Sequence, residues 1–284
     1  MRRHTDPRAP TAPSADDARP AAAIHHGRLV VAALSAGYND RTMLDRVSLH
    51  VPDGSFTAII GPNGCGKSTL LKAMAGHLRP TTGSVRLDGR DVTDIRPKAL
   101  ARELALLPQT SSAPDGITVV DLVSRGRFPH QSLLHQWSQA DEDAVTRALE
   151  LTGCHDLADR PVHALSGGQR QRVWIAMVLA QSAPIMLLDE PTTFLDITRQ
   201  LDVLCLCRQL RAERDVTLVA VLHDLNLAFR FATHLVVMRD GRVLAEGAPD
   251  AVVTPDLLAA AFDLDARVLP DPETGAPMVV PRAR

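Results

Sequence analysis

From Leu29 almost to the end of the chain, short apolar runs of β-rich composition alternate with stretches whose apolar positions recur at helical spacing. The runs predict strands over 29–35, 46–52, 55–60, 84–88, 104–108, 184–188, 216–222 and 234–238, and the helical spacing predicts helices over 67–77, 118–127, 141–153, 168–181, 198–213 and 225–231. Short apolar strands separated by helices imply a mainly parallel sheet covered on both faces. Between Gln109 and Leu165 the strand signals stop and helical ones take over, which reads as a helical insertion in an α/β core. Residues 1–27 are rich in Pro, Ala, Arg and Asp, without apolar periodicity or the apolar stretch of a leader. They read as a disordered tail, with His25-His26 as a solvated pair.

One loop between a predicted strand and a predicted helix carries chemistry. Gly61-Pro62-Asn63-Gly64-Cys65-Gly66-Lys67-Ser68-Thr69 fits G-x-x-x-x-G-K-[ST]. Glycines let successive backbone N–H groups turn onto phosphates, Lys67 adds a point charge at the β and γ phosphates, and Ser68 offers a hydroxyl to Mg²⁺. The helix that follows brings the positive end of its dipole to the same place. This position also suggests a lowered thiol pKa for Cys65.

Composition adds mainly exclusions. A net charge of −2 gives no global field to recruit nucleic acid or anionic lipid. Of 31 basic residues only Lys67, Lys72 and Lys98 are lysines, and two of these lie in or beside the loop. The four cysteines make no disulfide framework, and Cys205 and Cys207, two apart on a predicted helix, point to different faces. The longest apolar run, 173–180, is less than half of the roughly 18 residues that span a bilayer. Work at a membrane therefore implies a partner.

In an open parallel sheet, ligands bind beyond the carboxyl ends of the strands. Four apolar runs end there in groups suited to phosphate chemistry: the loop after 56–60, Gln109 after 104–108, Asp189-Glu190 after 185–188, and His223 after 217–222. A carboxylate leaving an apolar strand is costly unless a positive group meets it, and Mg²⁺ shared with Ser68 is such a group for Asp189. Strand alternation would then turn Glu190 toward an attacking water as general base. Gln109 can sense the metal and that water. His223 can donate to a γ-phosphate, although a satisfied core histidine is the plainer reading of it alone. Tyr38, the only tyrosine, can stack on adenine or be an ordinary strand residue.

Leu165-Ser166-Gly167-Gly168-Gln169-Arg170-Gln171-Arg172 resembles the signature motif of ATP-binding-cassette (ABC) ATPases. The order of parts is similar too: Tyr38, phosphate loop, Gln109, signature, Asp189-Glu190, Phe194-Leu195-Asp196 as the D-loop, then His223. The resemblance covers about residues 28–250. It implies a P-loop NTPase core with an N-terminal antiparallel β subdomain and a helical subdomain at about 110–166, followed by a C-terminal extension over 251–284. ATP and Mg²⁺ are the implied cofactors. Two identical chains would pack head to tail so that Ser166, Gly167, Gly168 and Gln169 of one close over the ATP of the other.

The stretch 116–129 resembles the region after the glutamine loop in importers of iron–siderophore complexes and cobalamin, and Met177-Val178-Leu179-Ala180-Gln181, 191–197 and Asp271-Pro272-Glu273-Thr274-Gly275-Ala276-Pro277 resemble the siderophore group. That resemblance implies an ATPase subunit on the cytoplasmic face of the cell (inner) membrane. It would dock near the helical subdomain on an integral membrane permease, which an extracytoplasmic substrate-binding protein feeds. Cobalamin or haem import is the neighbouring alternative. A soluble, non-transport ABC ATPase is the more distant one, and it usually carries paired cassettes, long coiled-coil insertions or basic surfaces that this chain lacks.

Overall fold

The computed structural model describes residues 27–39, 41–110, 112–132, 137–193 and 195–282. Residues 1–26 of the tail expected over 1–27, with its His25-His26 pair, and Phe194 of the expected D-loop lie outside them.

Strands β1 (Leu29–Tyr38) and β2 (Arg41–Val51) open the chain and lead to β3 (Phe56–Ile60), the phosphate loop and helix α1 (Lys67–Met74). Next come β4 (Thr82–Leu87), β5 (Arg90–Asp91), α2 (Pro97–Glu103) and β6 (Leu104–Leu107). Helices α3 (Val119–Ser124), α4 (Gln139–Leu151) and α5 (Gly167–Ala180) fill the stretch before β7 (Ile185–Asp189). The core closes with α6 (Ile197–Arg214), β8 (Thr217–Val221), α7 (Leu225–Phe231), β9 (His234–Arg239) and β10 (Arg242–Gly247). Beyond it lie α8 (Pro249–Val252), α9 (Pro255–Phe262), β11 (Ala266–Pro270) and β12 (Pro277–Pro281).

Six strands form one sheet in the order β10-β9-β3-β8-β7-β6, parallel except for the antiparallel edge strand β10. All five residues of each of β3, β7 and β8 are buried, which explains why these strands read as unbroken apolar runs. Period-two alternation divides them between two cores. Ala58, Ile60, Leu188 and Ala220 face a layer that includes Val173, Ile175, Leu204 and Phe229 of α5, α6 and α7. Ile59, Leu187 and Val221 face α1, through Leu70, Leu71 and Met74, and the four-stranded sheet β2-β1-β4-β5. That second sheet is antiparallel throughout.

A buried ion pair holds the helical stretch together and reaches the end of α5. Arg127 Nε donates to Asp141 Oδ1 at 2.8 Å, and its Nη1 donates to the Ala180 carbonyl at 2.7 Å. Burial is the largest influence on Asp141 and pushes its pKa up. Hydrogen bonds from Ser138, which Asp141 reciprocates in a capping box, and from Arg127 outweigh burial and hold the carboxyl below its usual range. The stability it contributes is present above the unfolded pKa of about 4 and is lost as pH falls through the lower folded value. Asp141→Asn leaves Arg127 buried without its counter-charge, so unfolding in urea at pH 7 should show a loss of about 3 kcal/mol.

Candidate active site

Gly66, φ +104°, turns the chain from the phosphate loop into α1. A Cβ there would lie 2.8 Å from both the Met43 carbonyl oxygen and Leu44 Cδ2, so β2 presses on the loop as closely as glycine allows. The helix carries no side-chain cap and no acidic residue in its first turn, leaving its leading N–H groups to an outside acceptor. Lys67 is buried, and its Nζ donates to the carbonyls of Gly61 and Pro62 at 2.8 and 2.9 Å. The ammonium is thus folded onto its own loop, beside the place a phosphate would take.

A cleft of about 380 Å³ opens above, lined by Asn63, Gly64, Gly66, Lys67, Ser68 and Thr69 of the loop, by Met43, and by Gln109, Glu190 and His223. The ends of β3, β6, β7 and β8 therefore meet in one place. Asp189 ends β7, 3% exposed, and accepts a hydrogen bond from Ser68 Oγ at 2.8 Å. Burial pushes its pKa up, opposed by the Ser68 bond and reinforced by the neighbouring Glu190 charge. A buried carboxylate whose hydrogen-bond donor is a hydroxyl is what a divalent cation would relieve. Hard oxygen donors from one Asp and one Ser, with room for phosphate oxygens and water, suit Mg²⁺. Among the described residues no group of three His, Cys, Asp or Glu side chains is placed to hold a metal ion.

Glu190 departs from the expected geometry. Its φ is +55°, a left-handed residue just past the strand, so backbone reversal and not strand alternation separates it from Asp189. That conformation costs a non-glycine residue about 1–3 kcal/mol and persists only where neighbours enforce it. Here three do. Gln109 Nε2 and Thr193 Oγ1 donate to its Oε2 at 2.8 and 3.0 Å, and His223 Nε2 lies 2.7 Å from its Oε1. Burial is the largest influence and pushes the Glu190 pKa up, but the bonds from His223, Thr193 and Gln109 bring it below the ordinary value.

The remaining expected residues lie apart from this cleft. Tyr38 ends β1, exposed, with the Lys72 ammonium of α1 5.8 Å from its ring centre. Ser166 caps α5 in a capping box with Gln169, and Gly167 and Gly168 form the first turn. None of these four lines the cleft of its own chain. A Cβ on Gly168 would meet Arg199 Cγ at 3.5 Å, placing the signature beside Asp196, the cap of α6.

One expectation fails. Cys65 is 5% exposed, and burial pushes its thiol pKa up, outweighing the nearby Lys67 charge. It is a packing residue under the loop, not an activated thiol.

Several site residues carry little sequence signal. Thr193 follows Glu190 by three positions in a turn, a spacing that favours such side-chain bonds. The Asp240-Gly241 turn between β9 and β10 gives none, yet Gly241 N donates to the Cys65 carbonyl at 3.1 Å and its own carbonyl accepts from Asp45 N at 2.9 Å. Gly241 has φ +78°, and a Cβ would lie 2.6 Å from the Met43 carbonyl oxygen. Gly241→Ala should therefore distort the loop and weaken ATP binding about tenfold in equilibrium titration.

A glycine-rich loop whose carbonyls hold the Lys67 ammonium, below a carboxylate at the mouth of a parallel sheet, places the chain among the P-loop nucleoside triphosphatases. The family model described as ABC transporter matches residues 44–193. The chain is 51% identical over 251 residues to the ferric enterobactin transport ATP-binding protein FepC of Escherichia coli strain K12 (88% of this chain, 93% of that one). It is 52% identical over 251 residues to the probable siderophore transport system ATP-binding protein YusV of Bacillus subtilis strain 168 (88% and 91%). A bacterial ABC transporter cassette solved as a dimer superposes with a TM-score of 0.69 at 28% identity (78% of this chain, 98% of that one). The protein belongs to the ABC transporter family and is one of its nucleotide-binding ATPase cassettes.

Proposed function

We propose that the chain is the ATP-hydrolysing subunit of an importer of iron–siderophore complexes, with residues 28–250 as the cassette and about 110–166 as its helical subdomain. The observation that carries hydrolysis is Glu190, held by Gln109, Thr193 and His223 over the mouth of the phosphate cleft. On ATP binding, Lys67 leaves the carbonyls of its own loop for the β and γ phosphates, while the N–H groups from Gly64 to Thr69 cradle the rest. Tyr38 stacks on the adenine. Ser68 and Asp189 are the residues that would hold Mg²⁺, with Gln109 beside it. Such a metal would supply neutralisation of the phosphate charge.

The three hydrogen bonds at Glu190 also define a resting state. Three donors hold its carboxylate and lower its basicity. A γ-phosphate in the cleft offers His223 Nε2 a stronger acceptor. Transfer of that bond frees Glu190 Oε1 to orient a water and take its proton as it attacks phosphorus. Ser166, Gly167, Gly168 and Gln169 of a second copy, and Asp196 beside them, complete each site across a two-fold dimer.

Iron–siderophore cargo is supported by the near full-length likeness to FepC and YusV. Among the described residues no helix is long and apolar enough to cross a membrane. Transport therefore needs a permease, docked near the helical subdomain on the cytoplasmic face of the inner membrane, with an extracytoplasmic binding protein delivering cargo. Affinity purification of the full chain from detergent-solubilised membranes should bring down a polytopic membrane protein. Recovery with ribosomes or nucleic acid instead would sink the transport reading.

A further inference from the structure

Among the described residues, strands β11 and β12 pair only with each other, in a hairpin separate from both larger sheets. Helix α7 ties that hairpin to the core. Asn226 Oδ1 accepts from Val279 N at 2.7 Å and Asn226 Nδ2 donates to the Val279 carbonyl at 3.3 Å, so one amide side chain serves β12 as a ladder partner. One turn along the same helix face, Arg230 donates through Nε and Nη2 to Asp271 Oδ2 at 2.7 and 2.6 Å. Asp271 is 6% exposed and fixed by its own turn. Its Oδ1 accepts from Glu273 N, its N–H donates to the Ala276 carbonyl, and its carbonyl accepts from Gly275 N. The stretch 271–277 is thus a preformed receptor for the Arg230 guanidinium.

The other end of α7 reaches the reaction. Asp224 caps the helix by accepting from Leu227 N at 2.9 Å, and the residue before the cap is His223, 2.7 Å from Glu190. Seven residues make too short a helix to hold itself in place. Leu227, Ala228, Phe229 and Phe231 are buried, but the hydrophobic driving force is non-directional and leaves the helix freedom in its exact setting. Directional bonds from Asn226 and Arg230 fix that freedom.

We infer that the C-terminal hairpin is a clamp for His223, with Asn226, Arg230 and Asp271 acting on ATP hydrolysis as positioning residues through α7. The inference rests on the proposed role of His223 toward the γ-phosphate. None of the three residues lines the nucleotide cleft, so the clamp governs turnover and not affinity.

The test is steady-state hydrolysis by the full-length chain, with hydrogen exchange followed over residues 225–231. Arg230→Ala and Asp271→Ala should each lower kcat about five- to tenfold with KM for ATP within about twofold, as expected of a misplaced group that does not bind substrate. The double variant should lose no more than either single one, since both break the same tie. Arg230→Lys, which keeps the charge without the fork, should fall between and guards against a variant that fails to fold. Faster exchange in α7 with kcat unchanged would overturn the clamp, as would kcat and KM worsening together. Glu190→Gln assayed in parallel separates the two layers: full turnover there removes the hydrolysis reading, whereas full turnover in Arg230→Ala removes only the clamp.

Discussion

Glu190→Gln is expected to bind ATP at near wild-type affinity, accumulate as an ATP-dependent dimer and lose turnover by a factor of about 10³, within the range for removal of a general base. The isosteric amide keeps its oxygen for Gln109 and Thr193, the two donors to Oε2, and turns its NH2 toward His223, so two of the three bonds that support the left-handed turn stay in place. It removes the one group positioned to take the water's proton. Phosphate release and size-exclusion chromatography with and without ATP measure both halves of this expectation. Turnover within twofold of wild type would withdraw Glu190 from the chemistry, and an unchanged monomer would withdraw the idea that ATP holds two copies together.

Ser166→Arg should act on the other half of the composite site. Loss of the cap and its reciprocal bond with Gln169 costs α5 about 1 kcal/mol, too little to unfold the chain. Because Ser166 lies outside its own chain's cleft, ATP affinity of the monomer should change by no more than about twofold. A bulky cation at the closing surface should nevertheless abolish ATP-driven dimers and hydrolysis together. Dimers of this variant, or a large loss of monomer affinity, would place the signature in the site of its own chain. The pair of variants is informative because the two should fail in opposite ways, one trapped closed and one unable to close.

The sequence carries the central sheet and its chemistry because burial on both faces writes β3, β7 and β8 as apolar runs, each ending in a polar group. Helix α2 is invisible to the same reasoning, since Leu100 alone of its seven residues is buried and no apolar period results. Strand β10 alternates only between exposed and partly buried positions, and β11 and β12 are short, with prolines at their ends. The positions of Asp189, Glu190, Gln109 and His223 at strand ends are legible. The way Glu190 turns is not, because a left-handed residue depends on partners up to 81 positions away. The same limit explains Cys65. Its nearness to a helix N-terminus is local and visible, but its burial and its carbonyl's bond to Gly241 come from distant packing.

The most direct test is uptake of radiolabelled ferric siderophore by native cells whose only copy of this chain carries Glu190→Gln. The account predicts that uptake of one siderophore class is lost while cobalamin uptake stays intact, with the variant present at wild-type levels. Unchanged iron uptake beside a variant shown to be dead for hydrolysis would leave an ATPase of this family and contradict its assignment to iron–siderophore import.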